Sequence, residues 1–208
     1  MAQQRQETTR PSAFLFLAGN SALDFVNTRP VLRGHAIELL QDFADLLRWF
    51  VAAQLLDPKL AAKFRERWAS SPQAHASLRQ LLAFRELLRR EIAALESSKA
   101  VSKKTISGLN RRLAQHPLLA QLVIFHGILR KEYRFQPRKP LDLFAPLLYA
   151  ATDLFTSLDP LRLRQCQSCV LHFYDTTKNA TRRWCSMKLC GNRAKAAKYA
   201  ARHRHRSG

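Results

Sequence analysis

All four cysteines of the 208-residue chain lie within 25 residues of one another and form two pairs: Cys166, Cys169, Cys185 and Cys190. The first pair encloses two residues, the second encloses four, and fifteen residues separate the pairs. A Cys-x2-Cys pair puts two thiolates on one tight turn, and a second pair brought across a loop completes a tetrahedron around a metal. The spacing therefore predicts that the last quarter of the chain folds around one metal ion.

The identity of the metal follows less directly from the cysteines. Four thiolates suit Zn²⁺ or an iron–sulfur centre, but the fifteen-residue middle and the basic segment that follows are more typical of zinc ribbons and treble clefs. We therefore expect one structural zinc ion. His172, three residues after Cys169, is an alternative ligand, although four cysteines already suffice. Four protein ligands leave no open coordination position, and we find no nucleophile beside a base, so the chain is not expected to be an enzyme.

Helical patterns dominate the chain ahead of the cysteines. Apolar residues recur at three- and four-residue steps over 37–56, 73–97 and 143–158, and shorter helices are expected after Pro58 and over 103–115. Asp57-Pro58 and Ser71-Pro72 each match an N-cap followed by proline in the first turn. Residues 119–125 and 129–135, on either side of His126-Gly127, predict a β-hairpin.

These patterns predict a mainly α (α+β) fold. A helical N-terminal domain with a small β-hairpin precedes a small treble-clef or zinc-ribbon-like module with a basic C-terminal helix. The apolar fraction of 47% argues against disorder, and 208 residues fit one main and one minor domain. The predicted boundaries are a mobile tail over 1–12, the helical domain over 13–160 and the zinc module over 161–208.

The chain is strongly basic, with 35 Lys or Arg against 15 Asp or Glu and a net charge of +20. Residues 161–208 hold twelve Lys or Arg and one acid, Asp175. A segment of this charge suits the phosphates of a nucleic acid, while the alternative is a solvated basic tail. After Cys190, Gly191 is expected to supply an unusual backbone angle, and 194–201 predicts a helix carrying basic residues.

Three polar residues in apolar surroundings are candidates for a ligand pocket in the helical domain. Asp24 and Asn27 interrupt the apolar stretch 22–28, where capping of local backbone is the favoured interpretation. Arg85 falls on the apolar side of the longest predicted helix. It either snorkels to the helix edge, which we favour slightly, or meets an acidic side chain or a ligand anion.

The sequence also resembles two known families. The zinc-module sequence is similar to the CGNR zinc-finger family in the motif Arg182-Arg183-Trp184-Cys185-Ser186-Met187-x-x-Cys190-Gly191-Asn192-Arg193. The similarity extends upstream through Phe173, Asp175 and Asn179, with Thr177 where a serine is expected. Gly19-Asn20 and the stretch from Ala22 to Thr28 resemble the opening of the ABATE domain of bacterial stress-induced transcription regulators. The resemblance implies zinc on the four cysteines and a role in transcription.

The first functional hypothesis is accordingly a bacterial transcription regulator in the cytoplasm, associated with the nucleoid and without a membrane anchor. Its zinc module would bind DNA while its helical domain senses a small-molecule or protein ligand. The residues expected at the DNA are Arg182, Arg183, Asn192, Arg193, Lys195, Lys198 and Arg202. The alternative is a zinc-stabilised protein- or RNA-interaction module without sequence-specific DNA binding. A homodimer is compatible with either hypothesis, although no long heptad run argues for one.

Overall fold

The computed structural model describes residues 14–32 and 34–204, with the side chains of 32, 134 and 201–204 excepted. The expected tail over 1–12 lies outside the described residues. The N-terminal elements are α1 (Ser21–Val26), β1 (Val31–Leu32), β2 (His35–Ala36), α2 (Phe43–Ala52), α3 (Pro58–Trp68), α4 (Pro72–Glu96) and α5 (Lys103–Gln115). They are followed by β3 (Leu119–Phe125), β4 (Ile128–Arg134), α6 (Phe144–Ser157), β5 (Leu163–Gln165), β6 (His172–Tyr174) and α7 (Asn192–Arg204).

Side-chain caps define where most of the helices begin. Asp57 accepts hydrogen bonds from the first backbone amides of α3, and Ser71 accepts one from Ala74, with proline following each cap as the sequence predicts. Asn20 caps α1 by accepting from Ala22 and Leu23. The stretch from 22 to 28 is too short for its pattern to separate helix from strand; with its N-terminus capped it is helical as far as Val26.

The apolar pattern over 37–56 forms a shorter helix than its length suggests. Asp42 accepts a hydrogen bond from the backbone N–H of Asp45, and this cap starts α2 at Phe43. Residues 37–41, before the cap, are neither helical nor extended in a ladder, and they follow a two-stranded ladder in which Val31 pairs with Ala36. Two-residue strands carry too little periodicity to be predicted from the sequence.

Helix α4 is the centre of the helical domain and packs against α1 and α2. Its side chains Leu81, Leu88 and Ile92 are completely buried, as are Phe25 of α1 and Trp49 of α2. Burying a large apolar side chain of this kind contributes about 1.5–3 kcal/mol. The apolar face predicted for 73–97 is therefore the main packing surface of the domain.

The predicted hairpin is formed by β3 and β4, which pair antiparallel from Leu119 opposite Arg134 to Phe125 opposite Ile128. His126 and Gly127 connect the strands with φ values of 50° and 76°. Two consecutive positive φ angles are typical of the tight turns that match the twist of a hairpin.

The described elements confirm the predicted mainly α (α+β) fold, in which the β structure is confined to two-stranded sheets. Within 14–32 and 34–204, no helix has both the length and the apolar character needed to span a membrane.

Candidate metal centre and nucleic-acid interface

The two cysteine pairs converge on one point. Their four sulfur atoms all lie within 4.8 Å of one another, and every one of the four residues is buried. The Sγ–Sγ distance is 3.4 Å between Cys169 and Cys185 and 3.6 Å between Cys185 and Cys190. A tetrahedron with Zn–S bonds of about 2.3 Å has edges of about 3.8 Å. The donor set and its spacing therefore fit a single zinc ion with four thiolate ligands.

The acid–base properties of the thiols also favour a cation at this point. A hydrogen bond from Cys185 lowers the pKa of Cys169 to about 5. The same interaction, together with burial, raises the pKa of the Cys185 thiol, and burial raises that of Cys190. One thiolate thus opposes ionisation of its neighbours, and a bound cation would offset part of the negative charge that four thiolates bring together.

Short backbone turns present the first cysteine pair. Strands β5 and β6 pair antiparallel, with Gln165 opposite His172, and Cys166 follows directly after β5. The backbone N–H of Cys166 donates to the carbonyl of Leu171 at 2.8 Å, while Val170 donates back to Cys166 at 3.2 Å. These bonds close a tight turn that directs both thiols of the pair to the same side.

Of the second pair, Cys190 lies in a helical turn, Met187–Gly191, which runs directly into α7, and Cys185 lies just before this turn. Gly191 is helical and is not among the described residues with positive φ, so the expectation of an unusual angle is wrong. A Cβ atom here would lie 2.7 Å from Met187 Sδ and 3.3 Å from Trp184 Cδ1. Glycine is therefore favoured by the close packing of Met187 and Trp184.

Asp175 organises the loop between the pairs, a role that the sequence analysis missed. Its buried carboxylate accepts from the backbone N–H and hydroxyl of Thr177, at 2.9 and 2.6 Å, and from the backbone N–H of Arg182 at 2.7 Å. Burial alone would raise the pKa of Asp175, but these hydrogen bonds and the Arg182 charge lower it. The signal for this role was the lone acid in a basic segment.

Arg182 helps to hold the module together, whereas the sequence analysis placed it at DNA. Its guanidinium donates to the carbonyl oxygens of Trp184, at 2.8 Å, and of Cys185, and lies 4.6 Å from the ring centroid of Phe173. A fork of donors suits paired carbonyls, and this arrangement uses the side chain within the protein.

Arg193 likewise faces the metal centre. Its Nη2 atom lies 3.1 Å from the sulfur of Cys190 and donates a hydrogen bond to it. A positive donor beside a thiolate ligand stabilises the ionised sulfur and fixes its position. The structure thus gives Arg193 a role at the metal that the sequence analysis did not anticipate.

Four further residues expected at the DNA are exposed, as Arg193 itself is. Arg183 is exposed, donates to Gln167 at 2.9 Å and lies 5.6 Å from the Trp184 ring. Asn192, Lys195 and Lys198 are exposed on α7. Arg202 occupies a helical position in α7, and its side chain lies outside the described residues.

An open groove of about 700 Å³ lies beside the metal centre. It is bordered by the loop that Asp175 organises and by the turn that carries Cys190. Its lining places the cationic and polar side chains of Thr177, Lys178, Asn179, Arg182, Ser186 and Lys188 beside the apolar Leu17 and Met187. The groove therefore offers positive charge and hydrogen-bond donors beside the turn that leads into α7.

The three candidate residues for a ligand pocket, Asp24, Asn27 and Arg85, make contacts within the protein. Asp24 accepts from the backbone N–H groups of Leu17 and Ala18, both at 3.0 Å, so it caps local backbone as favoured. Burial nevertheless raises the pKa of Asp24 to about 6. Asn27 instead bonds the backbone of His172. The structure thus places Asp24 and Asn27 in separate structural contacts.

Arg85 is buried, with only 2% of its surface exposed, so the interpretation that it snorkels is wrong. It donates to both carboxylate oxygens of Glu38, at 2.8 and 2.5 Å, and to the hydroxyl of Thr28 at 2.9 Å. The acidic partner considered as the alternative is therefore present. The pair holds the segment after β2 against α4.

The zinc module is bonded to the helical domain through His172. The Asn27 side chain donates to the His172 carbonyl at 2.7 Å and accepts from its N–H at 2.9 Å. The imidazole Nδ1 lies 2.9 Å from Glu96 at the end of α4, so His172 is an anchor and not a metal ligand. The backbone N–H of Tyr174 also donates to Ala18 at 3.1 Å.

Comparison with known proteins agrees with this geometry. Residues 19–158 match the model of the ABATE family, described as "putative stress-induced transcription regulator", and residues 162–203 match the CGNR zinc finger. A search of curated proteins finds no significant match. The chain therefore belongs to the ABATE family, and its C-terminal segment is a CGNR zinc finger whose four cysteines are positioned to bind a single zinc ion.

Proposed function

We propose that this protein is a DNA-binding transcription regulator in which the zinc ion is purely structural. The zinc centre holds α7 and the adjacent groove in a fixed relation, and these two elements contact the DNA. The observation that carries the proposal is the nature of α7, a basic helix that projects from the metal centre.

Helix α7 has almost no packing surface of its own. Every residue from Lys195 to Ala200 is exposed, and the helix contains no acidic residue. Isolated helices of this length are marginal in water, so a helix of this kind gains stability from a partner that covers it. A polyanion such as DNA complements the positive charge of α7. The small alanine side chains would allow the backbone of α7 to approach a DNA groove closely.

The basic residues of α7 form a row. Lys195, Lys198 and Arg202 occupy positions i, i+3 and i+7, which lie on one side of a helix, and Tyr199 borders the row. Lys178 and Lys188 line the neighbouring groove. Within the described residues no hydrogen bond or ion pair is recorded for these four lysines, which leaves their charges for phosphate groups.

The contacts of His172 suggest how the helical domain acts on the DNA-binding element. Asn27 follows α1 and Glu96 ends α4, so both helices contact the strand that supports the metal centre. A ligand or partner that shifted α1 or α4 would change the position of β6. We propose that the domain senses its signal, such as a stress-related ligand, by this route.

The proposal is tested by the salt dependence of DNA affinity. If six side chains contact phosphates, log K should fall against log salt with a slope near −5, at roughly −0.9 per phosphate. The double variant Lys195→Ala/Lys198→Ala should reduce the slope by about two. A matched control, Lys59→Ala/Lys63→Ala, removes the same charge from exposed positions of α3 and should leave the slope unchanged.

Fluorescence anisotropy with labelled duplexes gives both slopes, and selection of genomic fragments by the zinc-loaded protein tests for a preferred sequence. Enrichment of one short motif supports a specific regulator. A slope near zero would contradict phosphate binding, as would equal effects of the two double variants. Equal affinity for unrelated DNA and RNA would instead favour the alternative of an RNA- or protein-interaction module.

A further inference from the structure

The β3–β4 hairpin exposes an unusual amount of apolar surface. Seven of its large apolar side chains are between 48% and 76% exposed: Leu119, Leu122, Ile124, Phe125, Ile128, Leu129 and Tyr133. Directly opposed residues of an antiparallel pair share a face, so Leu122, Ile124 and Leu129 form one apolar patch near the tip. A patch of this kind marks an interaction surface.

Strand β3 also has an unprotected edge. In the described part of the chain, β3 is hydrogen-bonded to β4 alone, so its other edge has no strand partner. The strand reads LAQLVIF and contains no charged residue and no proline. Proteins usually protect an exposed edge with such residues because an unprotected edge pairs readily with another strand. Strand β4, in contrast, carries Arg130, Lys131, Glu132 and Arg134.

The apolar area beside the open edge of β3 supplies about half of what a standard interface buries, and the backbone hydrogen bonds of the paired edge add to it. Fully burying an aliphatic side chain, worth 1.5–3 kcal/mol at 25 cal/mol per Å², corresponds to about 60–120 Å². The four exposed side chains that lie on β3 itself, Leu119, Leu122, Ile124 and Phe125, therefore offer roughly 200 Å². A standard interface buries about 800 Å² on each partner, of which about 57% is apolar, or roughly 450 Å².

We propose that the occupant of this surface is a second copy of the chain. Strand β3 pairs antiparallel with its own copy about a two-fold axis at Leu122, which gives a four-stranded sheet in the order β4–β3–β3–β4. Leu119 then lies opposite Phe125 of the partner subunit, and the two copies of Leu122 and Ile124 form one apolar face. Such pairing is self-complementary, as a two-fold interface must be.

The distribution of charge favours β3 over β4 as the strand through which two copies of the chain associate. Two copies of a chain with a net charge of +20 repel each other unless they meet where neither is charged. Strand β3 provides seven consecutive residues without charge. Pairing through β4 would bring the basic side chains of two copies together instead.

The first test is the oligomeric state of the full-length, zinc-loaded protein, freed of nucleic acid. Sedimentation from about 1 to about 100 μM should show conversion of a 23.9 kDa monomer into a dimer. Leu122→Lys places two charges at the two-fold axis and should weaken dimerisation at least 100-fold. Leu161→Lys, at a position that is 68% exposed outside the hairpin, is the matched control and should dimerise normally.

The second test examines the register. Leu122→Cys should form a disulfide-linked dimer under mild oxidation, because opposed residues on paired strands have Cα atoms about 5 Å apart. Leu129→Cys, which has similar exposure on β4, should crosslink much less. Zinc content and circular dichroism of each variant confirm that it is folded.

A wild-type protein that stays monomeric at the highest concentration overturns the proposal, and so does a Leu122→Lys variant that dimerises as tightly as wild type. Efficient crosslinking of Leu129→Cys but not Leu122→Cys overturns pairing through β3. None of these outcomes depends on DNA, so they are independent of the proposed regulatory function.

Discussion

Replacing Asn27 by alanine tests whether the zinc module and the helical domain are stabilised as one structure. Asn27 is 6% exposed, and its amide makes two hydrogen bonds to the backbone of His172, a residue 145 positions away in the sequence. No other protein group is shown bonded to the His172 N–H and C=O groups within the described residues. Truncation would leave both groups buried beside an apolar methyl.

The expected cost follows from these two contacts. Leaving a buried donor or acceptor unsatisfied costs about 1–3 kcal/mol, and entry of water recovers part of it, so Asn27→Ala should lower the free energy of unfolding by about 2–4 kcal/mol. The loss should appear in the helical domain and in zinc retention together, because His172 lies in the strand that supports the metal centre. If the two domains were independent, Asn27→Ala would instead lower the stability of only one of them.

The assay is urea unfolding of the zinc-loaded protein, followed in parallel by circular dichroism at helical wavelengths and by release of zinc to a chromogenic chelator. Asn110→Ala is the control, since Asn110 is an exposed helical asparagine and its replacement should change stability by less than about 0.5 kcal/mol. The reasoning is refuted if Asn27→Ala costs no more than this control. Two well-separated transitions in wild type would also refute it and would support independent domains with a boundary near residue 160.

Three further substitutions test individual contacts. Arg193→Ala removes the donor to the Cys190 sulfur and should weaken zinc binding by about 10–100-fold in chelator competition. Asp24→Asn tests the effect of burying a carboxyl group. Because burial raises the pKa of Asp24 to about 6, the protonated group stabilises the protein at low pH, and this stabilisation is lost as the pH rises through 6. The wild type should therefore lose about 1 kcal/mol relative to Asp24→Asn between pH 5 and pH 7.5 in urea unfolding. Asp175→Asn keeps an acceptor but turns an amide toward the N–H of Arg182, and should destabilise the zinc module by about 1.5–3 kcal/mol.

Each of these predictions has a clear counter-result. Lys195→Ala, at an exposed position of the same helix, should leave zinc affinity unchanged. Equal zinc affinities of Arg193→Ala and Lys195→Ala would therefore show that Arg193 does not stabilise the metal centre. A stability difference between wild type and Asp24→Asn that stays constant with pH would show that the carboxyl pKa is not raised. Unchanged amide exchange over 176–182 in Asp175→Asn would show that the loop does not depend on the carboxylate.

The features that the sequence predicted well are those with local causes. Asp57-Pro58 and Ser71-Pro72 start helices because cap and proline act within one turn. The metal centre was predictable because four thiols at this spacing have few other uses in a chain without further cysteines. The hairpin followed from the short, partly β-branched stretch 119–125, from the alternation of apolar and charged residues over 129–135, and from the turn at His126-Gly127.

The features that the sequence did not reveal depend on residues far apart in the chain. The partner of Arg85 is Glu38, 47 positions away, and neither residue type nor periodicity identifies such a pair. The same holds for Asn27, whose side chain completes a strand of the zinc module. The sequence shows that these polar residues are embedded in apolar segments, but their partners are set by tertiary packing, which no local pattern encodes.

Arginine and lysine residues make different contacts in the zinc module, and this difference bears on the proposed DNA binding. A guanidinium fork matches carbonyl groups and is lightly hydrated, whereas an ammonium group is a compact charge that stays in water. Accordingly, backbone carbonyls or the Cys190 sulfur accept hydrogen bonds from Arg162, Arg164, Arg182 and Arg193. The lysines 178, 188, 195 and 198 are exposed. Exposed lysines would attract DNA phosphates by charge without a fixed hydrogen-bond geometry. Most of the DNA affinity should therefore depend on salt concentration and vary little with the DNA sequence. We expect any preference for particular bases to come from exposed side chains with directional donors such as Arg183 and Asn192, and their replacement should flatten sequence selection while leaving the salt slope changed by no more than about one.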